Sequence, residues 1–143
     1  MTDSPPIFHF PYSGEKGWIG VDLDRTLAEY HGKVDGVYDP LRIGKPIPKM
    51  VERIKAWLAE GYEVRIFTAR VGGLEPMDPA RLMVTAAIWE WLEFEAGIPL
   101  RLAVTATKDM DCCQIWDDIA VTVERNTGRT IHEMLAEALA VNS

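Results

Sequence analysis

The chain has only two cysteines, and they are neighbours, Cys112 and Cys113. Adjacent cysteines rarely bridge one another, and no second pair exists to complete a tetrahedral zinc site. A reduced, partly buried pair is therefore expected. Histidine is almost as sparse. His9, His31 and His132 are scattered and make no metal or triad case by themselves. No window approaches 18 uninterrupted apolar residues, so no membrane-spanning pattern is present. Residues 1–17 carry Pro5, Pro6 and Pro11 but neither a basic start nor an apolar core region. They do not read as a secretory signal, and the cytoplasm is the expected compartment. A basic excess is missing too. The net charge of −7 argues against broad, salt-driven nucleic-acid binding. It leaves phosphorylated substrates open, because a divalent ion and a few local cations can reverse the sign inside one cleft.

What is present fits one domain over residues 1–143, with hydrophobic and charged fractions ordinary for a globular chain. The stretch that organises it is Trp18-Ile19-Gly20-Val21-Asp22-Leu23-Asp24-Arg25-Thr26-Leu27. Ile19, Val21 and Leu23 suit a strand buried on both faces, as in a parallel sheet. The strand ends in Asp22 and Asp24, at the edge where open α/β sheets bind ligands. Two carboxylates held close together repel unless a cation or a shared proton intervenes. An oxygen-seeking divalent ion such as Mg²⁺ resolves that conflict.

The remainder reads in alternation. Phe8, Phe10 and Tyr12 in the lead-in suggest a short edge strand. Residues 28–48 turn to Gly, Pro, Asp and Tyr, and Asp35-Gly36 between Val34 and Val37 signals a hairpin. This segment reads as a loop or small flap over the carboxylates. Apolar residues at helical spacing predict a helix over about 48–60. A strand follows over 63–67, ending in Thr68-Ala69-Arg70. A second helix is predicted over 79–96, with Leu82, Ala86, Trp89 and Leu92 as its inner face and Trp91 partly exposed, a candidate oligomer contact. A third strand over 100–104 leads to Lys108. Gln114-Ile115-Trp116 approaches Asp117-Asp118, and 119–123 reads as the next strand or its extension. Thr130 and Glu133 read as a capping box for a last helix to about Val141. Strand and helix in alternation predict an α/β fold: a Rossmann-like three-layer sandwich around a mainly parallel sheet.

In a parallel sheet the strand ends share one edge. That edge would gather Asp22, Asp24, Thr68, Arg70, Lys108, Asp117 and Asp118. The inventory fits phosphoryl transfer, which needs a nucleophile, a metal, donors to phosphate oxygens and an acid for the leaving group. Asp22 would attack phosphorus, and Asp24 would serve as general acid and then base. Mg²⁺ would sit between Asp22 and Asp117 or Asp118. Thr68 would donate to the phosphate and Lys108 would balance its charge. Each has a plainer reading: Thr68 as a helix cap, Lys108 as a solvated surface lysine.

These four motifs, in this order, resemble those of the haloacid dehalogenase-like superfamily of hydrolases. The resemblance covers roughly residues 18–123. Ile43-Gly-Lys-Pro-Ile-Pro and Ile66-Phe-Thr-Ala-Arg are also similar to small bacterial and phage members. The resemblance implies a Rossmann-like fold, Mg²⁺ dependence and an aspartyl-phosphate route. Its metal ligands would be Asp22, the backbone carbonyl of Asp24, and one of Asp117 and Asp118. Arg25 stands where many relatives have Gly. Either the local turn differs, or Arg25 points into the cleft as a substrate contact; Arg70 is the other candidate contact. No segment is long enough for a full cap domain, so the site should be open unless an oligomeric partner covers it.

The leading expectation is thus a Mg²⁺-dependent phosphatase acting on a phosphorylated small-molecule or macromolecular substrate. A dehalogenase would leave Asp24 without a role, and a P-type pump would need membrane spans. Two alternatives stand beside it. One is a phosphate-binding or regulatory module with negligible turnover. The other is a phosphatase for nucleotides or nucleic-acid ends, which the acidic net charge weakens.

Overall fold

The structure, a computed structural model, describes residues 17–141. The strand expected around Phe8–Tyr12 lies outside the described residues. A four-stranded sheet forms the frame: β1 (Trp18–Val21), β2 (Glu63–Phe67), β3 (Val104–Thr105) and β4 (Cys112–Trp116). The strands are all parallel, in the order β3-β2-β1-β4. The helices α1 (Pro48–Ala59) and α2 (Pro79–Phe94) connect β1 to β2 and β2 to β3. A third helix, α3 (Ile131–Val141), follows the sheet.

Why these residues form these elements is local chemistry. β1 is central and buried along its whole length, which is why its sequence reads apolar without alternation. Both α1 and α2 begin with proline, whose missing N–H costs nothing in the first turn. Asp78 caps α2, its side chain accepting from the Ala80 N–H at 2.8 Å. Thr130 Oγ1 accepts from the Glu133 N–H at 3.1 Å, as the predicted cap requires.

One hydrophobic core joins Ile19, Val21, Val64, Ile66 and Val104 of the sheet to Ile54 and Trp57 of α1 and Ile88 and Leu92 of α2. These strand residues share one face by the two-residue period, so both crossover helices cover the same side. Each fully buried large apolar side chain contributes about 1.5–3 kcal/mol relative to exposure.

The opposite face carries Trp18, Gly20, Arg65 and Phe67. Here the expected third layer is not a helix. Only six residues separate β3 from β4, too few for a crossover helix. The chain instead returns along this face without regular structure. Asp109 accepts from Trp18 Nε1 at 2.8 Å and from Arg65 Nη1 at 3.4 Å, and the Arg65 guanidinium lies 4.6 Å over the Trp18 ring. Helix α3 follows β4 but none of its residues is buried.

Three expectations need correction. β3 is two residues long at 104–105, because residues 100–103 follow Pro99 at the sheet margin and only the last part pairs. The fourth strand is Cys112–Trp116 itself, and 119–123 makes only one isolated bridge, Val123 to Thr130. The inner face of α2 is Val84, Ile88, Trp91 and Leu92, with Leu82 exposed. Trp91 is buried and donates Nε1–H to the Gly44 carbonyl at 2.8 Å, whereas Trp89 is only part-buried and bonds the Leu102 carbonyl at 2.7 Å. An almost wholly apolar helix has no single amphipathic stripe to read, so its orientation was ambiguous by periodicity. The cysteines are free and partly buried within β4, and burial pushes the Cys112 thiol up to about 11. No described helix is long and apolar enough to cross a membrane.

Candidate active site

The parallel register delivers the acidic groups to one edge. Asp22 follows β1 directly, and its N–H donates to the carbonyl of Trp116, the last residue of β4, at 2.9 Å. That bond sets the end of β1 beside Asp117 and Asp118. Carboxylate oxygens of Asp22, Asp117 and Asp118 all lie within 4.8 Å of one another. This group of three could hold a metal ion, whose oxygen ligands would be carboxylates of the kind hard divalent cations take.

The electrostatics of Asp22 follow from that placement. Burial, then the nearby charges of Asp117 and Asp118, push its carboxyl up to about 7. The Thr26 hydroxyl donates to Asp22 Oδ2 at 3.3 Å and pulls the other way. Asp117 Oδ1 accepts from the Ile119 N–H at 3.1 Å, fixing the carboxylate on its turn.

Arg25 occupies the first loop. Its φ is +68°, so the turn keeps the left-handed geometry that glycine would favour, and the side chain reaches across to Asp118 at 3.0 Å. The turn closes through Leu23, whose carbonyl accepts from the N–H of Leu27 at 3.0 Å and of Ala28 at 2.8 Å. A side chain in that region costs about 1–2 kcal/mol, part of which glycine loses again to the entropy of its unfolded chain. Arg25→Gly should therefore be more stable than Arg25→Ala by about 0.5–1 kcal/mol. Both variants lose the Asp118 ion pair, so the comparison isolates the backbone. Urea midpoints of the two decide it, and equal midpoints would reject the strain.

Asp24 has a different partner. Arg70 Nε donates to Asp24 Oδ2 at 2.9 Å and Nη2 to Oδ1 at 2.7 Å. Arg70 Nη1 also donates to the carbonyls of Pro40 at 2.9 Å and Arg42 at 2.7 Å. The expected substrate contact by Arg70 is thus not what this arrangement gives, because its donors are committed to Asp24 and the loop. Asp24's carboxylate likewise stands outside the three-carboxylate group.

The loop over residues 28–48 does lie at the site. Val34 and Val37 exchange backbone bonds around Asp35 and Gly36, both at positive φ, which is the two-residue hairpin the sequence predicts. Tyr30 and Tyr38 from this flap, with Phe67 and Ala69, wall a cleft of about 340 Å³ whose floor holds Asp22, Asp24, Asp117 and Asp118. The two tyrosines were missed by sequence reasoning; their place in a loop beside the motif was the available signal.

Two expected residues are not on the cleft wall. Thr68 lies between Phe67 and Ala69 but is itself buried, and its Oγ1 accepts from the Arg70 N–H at 3.1 Å. It caps the 3-10 turn over Ala69–Val71, as its plainer reading had it. Lys108 is exposed and pairs with no described carboxylate. It sits on the connection that turns away from this edge, beside Asp109, which already reaches Trp18 at the start of β1.

No protein-family model and no curated protein matches the chain. The described residues define an α/β protein with an acidic cleft at the carboxyl edge of a parallel sheet.

Proposed function

We propose that the chain is a Mg²⁺-dependent phosphatase of phosphate monoesters, of the haloacid dehalogenase-like kind, with Asp22 as nucleophile and Asp24 as general acid and base. The observation that carries this reading is the charge pattern of the cleft. Four carboxylates stand there, and guanidinium groups match two of them, Asp118 by Arg25 and Asp24 by Arg70. Among the described residues Asp22 and Asp117 have no cationic partner, and Asp22 is driven toward protonation. A divalent cation among Asp22, Asp117 and Asp118 fits that deficit in charge and in donor chemistry. When bound, Mg²⁺ would keep Asp22 ionised and neutralise phosphate charge.

The residues then act in two steps. An oxygen of the Asp22 carboxylate bonds to phosphorus as the bond from phosphorus to the alcohol oxygen breaks. Asp24 gives its proton to that leaving oxygen. Water next attacks the phosphorus of the aspartyl phosphate. Asp24 takes the water's proton, the bond from phosphorus to Asp22 breaks, and inorganic phosphate leaves. Arg25, with its side chain half exposed on the cleft wall, is the cation available to a phosphate oxygen.

The test is hydrolysis of 4-nitrophenyl phosphate with and without Mg²⁺. Turnover that requires Mg²⁺ is expected; metal-independent turnover would overturn the reading. A binding measurement adds a readout free of activity. Because Asp22 titrates near 7, its proton competes with the ion, and the affinity for Mg²⁺ should be about tenfold weaker at pH 6 than at pH 8. Calorimetric titration at the two values checks this.

A second reading, phosphate binding with negligible turnover, is favoured by one observation: Thr68 and Lys108 both lie off the cleft wall. It predicts phosphate binding with no ester cleaved across aryl, sugar and nucleoside phosphates.

A further inference from the structure

The geometry points to Arg70 as a positioning residue that holds Asp24 for proton transfer and ties it to the flap. The inference rests on the phosphatase reading and assigns a group that reading leaves without a role. The Arg70 side chain is only 3% exposed, although it carries a charge. Burying a guanidinium is costly unless its donors are met, and here they are met in two directions. Nε and Nη2 form a parallel fork on the two oxygens of Asp24, at 2.9 and 2.7 Å. Nη1 is shared by the carbonyls of Pro40 and Arg42. The guanidinium carbon also lies 5.8 Å from the centre of the Tyr38 ring.

Each arm has its own consequence. The fork removes the rotation of Asp24 about its last bond, which a free aspartate side chain retains. A carboxylate that accepts a fork keeps a lone pair on each oxygen, so the fork leaves a position on Asp24 open toward the cleft. The carbonyl arm fixes residues 38–42, and with them the Tyr38 wall against which the leaving group would lie. Arg70's own backbone is anchored, since its N–H is bonded to buried Thr68 at 3.1 Å. Thr68 therefore serves the site indirectly, by setting the turn from which Arg70 reaches out. The Arg70 side chain bonds Asp24 and the carbonyls of Pro40 and Arg42, so its effect is routed through Asp24 and the flap.

The leaving group separates this role from a merely structural one. An alkyl phosphate needs its oxygen protonated as the bond breaks. A 4-nitrophenyl phosphate, whose phenolate leaves readily, needs little help. General acids contribute about 10²–10⁴ in rate. Arg70→Met should lower kcat on an alkyl phosphate by about a hundredfold, and on 4-nitrophenyl phosphate by less than tenfold. Arg70→Lys keeps the charge without the fork and should recover only part of the alkyl-ester activity. In an Asp24→Asn background, Arg70→Met should cost little more on the alkyl ester, because the two residues act as one unit. The flap arm is read separately, as faster trypsin cleavage after Lys33 or Arg42 in Arg70→Met.

Equal losses on both esters, or full additivity with Asp24→Asn, would overturn the positioning role while leaving the phosphatase reading intact. A native chain that cleaves 4-nitrophenyl phosphate but gains nothing from Arg70 on alkyl esters would do the same. If the native chain cleaves neither ester, the phosphatase reading fails and the proton-transfer role fails with it. Trypsin protection then decides the flap arm alone, and an unchanged cleavage rate in Arg70→Met would overturn that too.

Discussion

Asp22→Asn should abolish hydrolysis and, without metal at pH 8, give a protein that melts above the native chain. The two effects have one origin. Asp22 is half-buried beside Asp117 and Asp118, and its carboxyl is pushed up to about 7 by burial and then by those two neighbours. The placement that suits Asp22 to the proposed attack therefore makes its ionised form unfavourable to the fold. Asparagine keeps the shape, still accepts from the Thr26 hydroxyl, and removes the charge.

The sign follows from proton linkage. The folded value, about 7, exceeds the unfolded value near 3.8, so the folded state binds more protons between them. Native stability from this group is greatest near pH 4, falls as pH rises toward 7, and is flat above. The advantage of Asn over Asp should thus be largest at pH 8 and vanish near pH 4. At a half-exposed group solvent screening trims the effect to about 1–2 kcal/mol, a few degrees in Tm. Mg²⁺ should invert the ranking, because ion at a hundred times its Kd adds about 2.7 kcal/mol to the chain that binds it. On the proposed reading the loss of activity should exceed a thousandfold, since the substitution removes the attacking carboxylate. Melting curves at pH 5 and 8, with and without Mg²⁺, check the pattern. An Asn variant less stable than the native chain at pH 8 without metal would sink it.

The carboxylate edge was legible because its signal is local. Ile19, Val21 and Leu23 announce a buried parallel strand, and a parallel sheet leaves its next residues little choice of edge. Asp117 and Asp118 are legible for the same reason, although the strand before them runs Cys112–Trp116 and not over 119–123. Lys108 was not, because its position depends on how β3 returns to β4. Six residues leave no room for a helix, and the chain length shows that only when both strand ends are known. Thr68 and Arg70 are both engaged within the chain: the hydroxyl accepts from backbone and the guanidinium donates to Asp24. Side-chain direction at a turn is set by contacts far along the chain, here from Asp24 and the carbonyls of Pro40 and Arg42, which no local pattern records. Trp91 shows the same limit, being buried by a bond to Gly44, 47 residues away.

Gly44 is where the second large effect is expected. The flap returns toward α1 alongside the segment after Asp24. The Glu29 N–H bonds the Lys45 carbonyl at 2.8 Å, and the Ile47 N–H bonds the Leu27 carbonyl at 2.8 Å. Just beyond the Glu29–Lys45 rung the two backbones approach so closely that a Cβ on Gly44 would stand 2.0 Å from the Glu29 carbonyl oxygen. Backbone on both sides cannot turn aside as a side chain can. Gly44→Ala must part the two segments, strain both rungs and shift the Gly44 carbonyl from Trp91 Nε1. A cost of at least about 3 kcal/mol is expected, at the upper end for overpacking, and a drop near 10 °C in Tm. The control is Gly36→Ala in the hairpin. Gly36 has φ +73° but nothing within 4 Å of an added Cβ, so it should lose only about 1 kcal/mol. Gly44 is not among the positive-φ glycines. Close approach and backbone angle are therefore separated between the two sites, and denaturation midpoints rank them. Should Gly36→Ala prove the more damaging, the contact between the flap and the Asp24 loop is not as tight as described. The same shift would move Glu29 and Tyr30, so Gly44→Ala should also weaken substrate binding at the Tyr30 wall while leaving Mg²⁺ affinity at Asp22, Asp117 and Asp118 nearly unchanged. On the proposed reading, that split would assign the flap to the leaving group and the carboxylates to the phosphate.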